Sequence, residues 1–311
     1  MCRGGRRSHL VYRALSASSV PALVRTARAG AQIFCFHNVL PRSEMVRGDD
    51  SLHMPVAHFE ELLQWIGTAY RVVPLSDLTR LLASNRSGRA LRGLAALTFD
   101  DAYDGFFEHG LPVLARHELP ATMFVVSDAA SRPQAFWWDR LGVVARLTDL
   151  ERHRHLNEGR GASQEILGSM GAELGDPPAF PHSLLPATWN RIRESLQGQD
   201  LVTIGAHTAT HPNLTRMSDR ELEHELVEPR ERIEARLDIQ PDVVSYPYGL
   251  HDRRVREAAG RAGYRAGVTL DPGPMKPSQE PLALPRLNVP AHIGVEALEC
   301  WAAGLRPRRG A

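Results

Sequence analysis

Hydrophobic positions along the chain fall into short runs separated by longer periodic stretches. The runs are AQIFCF (31–36), YRVVPL (70–75), LAALTF (94–99), ATMFVV (121–126), LVTIGA (201–206), DVVSYP (242–247), RAGVTL (265–270) and PRLNV (285–289). They are rich in β-formers and bounded by Gly, Pro, Asp or Asn, the pattern of buried parallel strands. The stretches between them read as helices. In residues 54–70, Phe59, Leu62, Leu63 and Ile66 share one helical face. Residues 218–237 open on Ser218 with Glu221 three positions on, a capping box, and Leu222, Leu226, Ile233 and Leu237 keep helical spacing. Strand–helix alternation over about 250 residues predicts an α/β chain folded as a (β/α) barrel of seven or eight strands. An open doubly wound sheet is the competing arrangement. The first strands are followed by no Gly-rich phosphate loop, which counts against it.

Residues 137–190 break this rhythm. They are polar, Gly/Pro-rich in their second half, and predict an insertion packed over one barrel end. The Trp137–Trp138 pair either lines a sugar site or, more commonly for such a pair, anchors the insertion by packing. The chain thus divides into a basic N-terminal extension (1–30), a barrel (31–298) carrying the insertion, and a basic tail (299–311).

Composition narrows the function classes. A net charge of +1 gives no global field for a nucleic-acid partner. Three cysteines, Cys2, Cys35 and Cys300, are too few and odd in number for a disulfide framework. No window has the length of apolar residues that a membrane span needs. The first acidic residue is Glu44, after several arginines. LSASSVPALV, broken by serines and a proline, is a poor apolar core for a signal peptide. The expectation is a cytoplasmic enzyme whose basic N-terminus, a short helix or a frayed extension, touches an anionic membrane surface or stays solvated.

In barrel enzymes the reacting groups stand at the C-terminal ends of strands. Here the runs end in His37, in Asp100–Asp101, in His207 and His211, and in Tyr248–Gly249. Each alone is a weak signal: a core histidine, a helix N-cap, a loop. Adjacent carboxylates repel unless a cation relieves them. Asp101, His207 and His211 together make a two-histidine, one-carboxylate set of the kind that leaves metal positions open for water and substrate.

TFDD, then HTATH, then SYPYG, in that order and after strands, resembles the polysaccharide deacetylase family, carbohydrate esterase family 4, over residues 33–289. Within it the chain resembles the subgroup with an N-terminal strand-end histidine and a YPYG motif. The resemblance implies a distorted (β/α) barrel of about seven strands. It implies one divalent ion, usually zinc, on Asp101, His207 and His211, and hydrolysis of N-acetyl groups from amino sugars of a polysaccharide or glycan precursor. Carried over, Asp100 is the general base and the backbone N–H of Tyr248 an oxyanion donor. Hydrolysis of another C–N bond in a small cyclic amide, and a glycan-binding protein with a dead site, are the competing readings. The complete ligand set with Asp100 argues against the last.

The chain departs from the common pattern twice. Many members carry an arginine three residues before the motif's tyrosine, where it steadies the base; here that residue is Ser245. Arg286, in another candidate strand, is placed to reach the same carboxylate, or is simply structural. Many members also end on an apolar strand whose histidine is the acid; here His292 follows a proline with no strand behind it. A closed barrel lets its first strand take that place, so His37, with an imidazole pKa suited to donation near neutral pH, is the candidate acid, with Asn38 to orient it.

Overall fold

The computed structural model describes residues 5–44, 51–84, 88–144, 148–169 and 180–305. Two helices, α1 (Gly5–Ala17) and α2 (Val20–Ala27), lead into β1 (Gln32–Phe36). The parallel pair β2 (Asn38–Leu40) and β3 (His53–Pro55) follows, then α3 (Val56–Ala69), β4 (Arg71–Val72), α4 (Leu75–Ala83) and β5 (Leu94–Phe99). Next come α5 (Leu111–Arg116), β6 (Ala121–Val125) and α6 (Ser127–Ser131). The insertion holds α7 (Trp137–Val144), α8 (Asp149–Asn157) and α9 (Ser163–Ser169) and runs into α10 (Trp189–Leu196). The chain finishes with β7 (Val202–Ala206), α11 (Asp219–Leu237), β8 (Val243–Ser245), α12 (Arg253–Arg261), β9 (Ala266–Val268), β10 (Leu287–Asn288) and α13 (Val295–Ala302).

The main sheet is parallel and curled, in the order β10-β1-β5-β6-β7-β8-β9, with β4 beside the start of β5. One segment ties its two edges together. Leu284 exchanges backbone hydrogen bonds with Gly267 and Thr269 at the β9 edge, and Leu287 and Asn288 pair with Phe34 and Cys35 of β1. The result is a curled parallel sheet of seven strands, the distorted barrel that the family resemblance implied and within the seven or eight strands that the alternation predicted.

Strand alternation sorts the side chains. Phe34, Phe36, Leu97, Phe99 and Met123 pack outward under the helices, where Phe59, Leu62, Leu63 and Ile66 of α3 meet them as the helical spacing required. Ile33, Ala96 and Phe124 belong to a second cluster, closed by Leu284 and by Leu75 and Leu78 of α4. Counting in twos from Ile33 reaches Cys35 and His37, and from Ala96 reaches Thr98 and Asp100. Parallel pairing of Cys35 with Thr98 and Phe36 with Phe99 sets these two columns side by side.

Some expected elements shorten. The run at 70–75 yields only β4, because Pro74 cannot donate to a ladder. The run at 285–289 yields only β10. The capping box at Ser218 forms, with both reciprocal bonds. At the N-terminus the residues from Gly5 to Ala27 are helical and dock on α13 through Tyr12, whose hydroxyl accepts from Trp301 Nε1 at 2.8 Å. Helix α13 itself continues to Ala302, past the expected start of the tail, and residues 306–311 lie outside the described residues. The insertion gathers its own apolar cluster of Tyr103, Phe136, Trp137, Trp138, Leu141 and Ile166.

Candidate active site

Three ligand atoms converge beyond the ends of β5 and β7. His207 Nε2 stands 3.1 Å from His211 Nε2, and Asp101 Oδ1 lies 3.5 Å from the first and 3.4 Å from the second. A tetrahedral ion with bonds of roughly 2.0–2.1 Å spaces its ligand atoms by about 3.3–3.4 Å, so the triangle has the size for zinc. His207 Nδ1–H donates to the Ser245 carbonyl at 2.8 Å, which turns the lone pair of Nε2 toward the triangle. Asp101 Oδ1 is buried without a hydrogen-bond partner among the described residues, which costs free energy unless a cation meets it. The charges point the same way. Burial and the adjacent His207 push the His211 pKa down to about 3, keeping that imidazole neutral. Burial also opposes protonation of His207, but the Asp100 and Asp101 carboxylates outweigh it and raise its pKa. The carboxylates thus favour a cation here, and the ligand spacing with the unpartnered Asp101 oxygen fits a divalent ion.

Backbone strain concentrates here. Of the nine non-glycine residues with positive φ among the described residues, five are Asp101, Ala102, Thr208, His211 and Tyr248. Such conformations cost of order 1–3 kcal/mol each and persist only where the surroundings enforce them. The sharp turns after β5 and β7 let Asp101 and His211 bend back toward His207. Glu225 of α11 holds the second turn: its carboxylate accepts from the Ala209 and Thr210 N–H groups at 2.9 Å and from the Thr210 hydroxyl at 2.7 Å. Sequence reasoning missed Glu225, although an acidic residue between Leu222 and Leu226 on a buried face was a usable signal.

Asp100 stands beside the triangle, Oδ2 3.9 Å from His207 Nε2, within a buried set of donors. Arg286 grips it with both arms, Nη1 to Oδ1 at 2.8 Å and Nη2 to Oδ2 at 2.7 Å, and Nη2 also donates to Ser245 Oγ at 2.8 Å. Ser245 Oγ and the Cys35 thiol donate to Oδ2 at 3.2 and 3.5 Å. The Arg286 Nε donates to the Thr269 carbonyl, and its guanidinium lies over Phe124 inside the barrel. Burial alone would raise the Asp100 pKa. Arg286 and then His207 overcome it and hold the carboxyl well below the usual carboxylate range. Cys35 was not singled out from sequence as a neighbour of Asp100. Its burial pushes the thiol pKa up, so it stays a neutral donor.

His37 comes in from β1. Its ring, the Cys35 sulfur and an Asp100 oxygen present atoms all within 4.8 Å of one another. Burial lowers its pKa, with Asp101 and Asp100 pulling the other way. Asn38 turns from it to donate to His53 Nδ1 at 3.1 Å and to the Ser183 carbonyl at 2.8 Å. It thus braces the strand end and does not touch the ring. His53 passes the link on to Asp139 of the insertion at 2.8 Å, where Tyr103 OH also donates at 2.6 Å. His292 is exposed and stands apart from this set.

The tryptophan pair is wall, not platform. Both rings are buried; Trp137 Nε1 donates to Tyr248 OH and Trp138 Nε1 to Tyr103 OH, at 2.9 and 2.8 Å. The Trp138 and Tyr248 rings flank His211, with centroids 4.9 and 4.6 Å away. Tyr248 sits at φ 60°, its hydroxyl tied to the Gly161 carbonyl of the insertion at 2.7 Å. Beside Thr210 a cavity of about 570 Å³ opens between the insertion and α11, lined among others by Arg132, Arg140, Arg160, Glu221 and His224.

Comparison with known proteins matches residues 88–267 to the polysaccharide deacetylase family. YxkH of Bacillus subtilis (strain 168), which carries a polysaccharide deacetylase name, is 20% identical over 262 residues, 84% of this chain and 74% of that protein. Among solved structures, the deacetylase PplD of Streptococcus pyogenes in complex with acetate superposes with a TM-score of 0.59 at 18% identity, covering 86% of this chain and 96% of that one. IcaB from Ammonifex degensii does so with a TM-score of 0.61 at 19% identity, covering 89% and 98%.

Proposed function

This chain belongs to the polysaccharide deacetylase family, hydrolases of carbon–nitrogen bonds outside peptides, and from that premise we propose that it removes N-acetyl groups from the amino sugars of a polysaccharide or glycan precursor. The observation that carries this reading is the pairing of a zinc-sized ligand triangle with a separately held carboxylate and imidazole on one barrel rim. Asp101, His207 and His211 would hold the ion. When bound, it supplies Lewis-acid polarisation of the acetamide carbonyl and lowers the pKa of water.

The chain's own residues do the rest. Asp100, kept ionised and oriented by Arg286, takes the proton of the attacking water as it adds to the acetamide carbon. The backbone N–H of Tyr248 donates to the developing oxyanion. An amine is a poor leaving group as an anion, so His37 gives a proton to the nitrogen as the C–N bond breaks, releasing acetate and the free amino sugar. Burial by the Trp138 and Tyr248 rings excludes bulk water from the His211 side. The neighbouring cavity of about 570 Å³, whose walls mix charged side chains with apolar ones such as Phe136 and Met217, has room for further sugar units of a chain, which a small cyclic amide would not need.

The test is acetate release from N-acetylglucosamine oligomers and N-acetylated cell-envelope glycans, before and after chelation and zinc return. Release that chelation abolishes and zinc restores is the expected result. A zinc-loaded protein that frees no acetate from any of them overturns the reading.

A further inference from the structure

The large hydrophobic side chains that stand exposed among the described residues all belong to the first two helices: Leu10 at 67%, Val11 at 56%, Val20 at 40% and Leu23 at 66%. Single exposed leucines are ordinary on soluble proteins, but a contiguous group marks an interaction surface. Helical spacing aligns them. On α1, Tyr12, Leu15 and Ser16 turn toward α13, with Ser16 Oγ donating to Glu299 at 2.6 Å. That leaves Leu10, Ala14 and Ala17 along the opposite side, flanked by Val11 and Arg13, all exposed. On α2, Pro21 is buried while Val20, Leu23 and Ala27 face out.

Two further observations say what covers this surface. The first is charge. The sequence carries arginines at 3, 6, 7, 13, 25 and 28 and no acidic residue before Glu44, on a chain whose net charge is only +1. Arg25 turns inward to Glu299 and the Trp65 and Tyr70 rings, while Arg13 and Arg28 are exposed beside the apolar stripe and are the ones free to meet headgroups. The second is that two hydroxyls on this surface already donate within the helices. Thr26 Oγ1 donates to the Ala22 and Leu23 carbonyls at 3.0 Å, and Ser18 Oγ to the Leu15 carbonyl at 2.6 Å. Those two donors need no partner from water. No described helix is long and apolar enough to cross a membrane, so contact of this pair with a bilayer would be interfacial.

We propose that the α1–α2 hairpin docks this enzyme on an anionic lipid bilayer, its apolar stripe entering the interface and its arginines meeting the headgroups. A protein partner would also cover Leu10 and Leu23. Arginines with no interleaved acid, however, match a uniformly negative sheet better than a mosaic protein surface. Helix α2 leads into the start of β1, whereas the candidate metal ligands follow strand ends, so docking leaves the site uncovered. The proposal is independent of the deacetylase reading.

The test is co-sedimentation of the full chain with vesicles of phosphatidylcholine alone or mixed with phosphatidylglycerol. Binding to the anionic vesicles at least about tenfold tighter than to neutral ones, and weakened by salt, is the expected result. The double variant Leu10→Asp/Leu23→Asp should lose vesicle binding while keeping its melting temperature and its turnover of a soluble aryl acetate. Arg13→Glu/Arg28→Glu should lose the preference for anionic lipid. No binding, or equal binding to both vesicles, overturns the proposal. So does a wild-type dimer that Leu10→Asp/Leu23→Asp converts to monomer without any vesicle binding, since the stripe is then an interface between copies.

Discussion

Arg286 and Asp100 meet in a bidentate ion pair, Nη1–Oδ1 2.8 Å and Nη2–Oδ2 2.7 Å, although 186 residues separate them in sequence. The arginine comes from the segment that closes the barrel, the carboxylate from the end of β5. Both are buried, so neither has water as an alternative partner. Removing the arginine leaves a buried, uncompensated charge, a loss of about 3–5 kcal/mol in comparable cases. Arg286→Ala should melt well below wild type. Arg286→Lys should fold better than Arg286→Ala yet lose activity, because an ammonium cannot reproduce the two-armed grip. Equal activity of Arg286→Lys and wild type would show that the grip is structural only.

The same pair sets an acid limit. Asp100 has its folded pKa held below its unfolded value of about 3.9. Its contribution to stability is therefore complete above the unfolded pKa and is lost as pH falls through the folded pKa. In Arg286→Ala the folded pKa rises, so this stabilisation is missing at neutral pH and the gap in stability to wild type should narrow as pH falls toward the folded pKa of the wild-type carboxyl. Melting curves between neutral and strongly acidic pH check this; a gap that stays constant across the range contradicts it.

Ligand and base roles separate by metal analysis. His207→Ala and His211→Ala should each lose most bound metal by elemental analysis. Asp100→Asn should keep it and lose about 10²–10⁴-fold in rate. Undiminished stoichiometry in both histidine variants would remove the metal site from consideration.

His37 is tested by the leaving group. His37→Ala should retain fold and metal but lose far more activity on N-acetyl sugars than on activated aryl acetates, whose leaving groups need no proton. If both substrates lose equally, or if His292→Ala gives this pattern, His37 is not the acid.

Glu225 holds the HTATH turn by direct hydrogen bonds and acts on the metal ligands only through that turn. Glu225→Ala strands two backbone N–H groups and a threonine hydroxyl. Each buried group left unpaired costs about 1–3 kcal/mol. Weaker metal binding and a lower melting temperature should appear together, with Glu225→Gln recovering part of both. Glu225→Ala with wild-type metal affinity would confine its role to stability.

The sequence by itself determined the elements and the chemistry each could carry. Alternating apolar runs and helical spacing specify a parallel sheet covered by helices, because strands and helices can bury such patterns in few other ways; that the sheet curls into a barrel is decided by its closure through Leu284 and β10. Period-two alternation already places Cys35 with His37 and Thr98 with Asp100 on one side of their strands. The motif residues at strand ends were legible because barrel strands present their C-terminal ends together. The tertiary structure alone decided who meets whom. Register between β1 and β5 puts His37 beside Asp100. Closure of the barrel through Leu284 and β10 delivers Arg286 to that carboxylate. The insertion folds back so that Trp137 and Trp138 spend their N–H groups on Tyr248 and Tyr103 and wall the site, where the sequence left open whether they bind sugar. The physical reason is the range of each interaction. Side-chain period and capping act over a few residues and are written locally, whereas ion pairing and metal geometry depend on tenths of an ångström between segments that only the packed core brings into register.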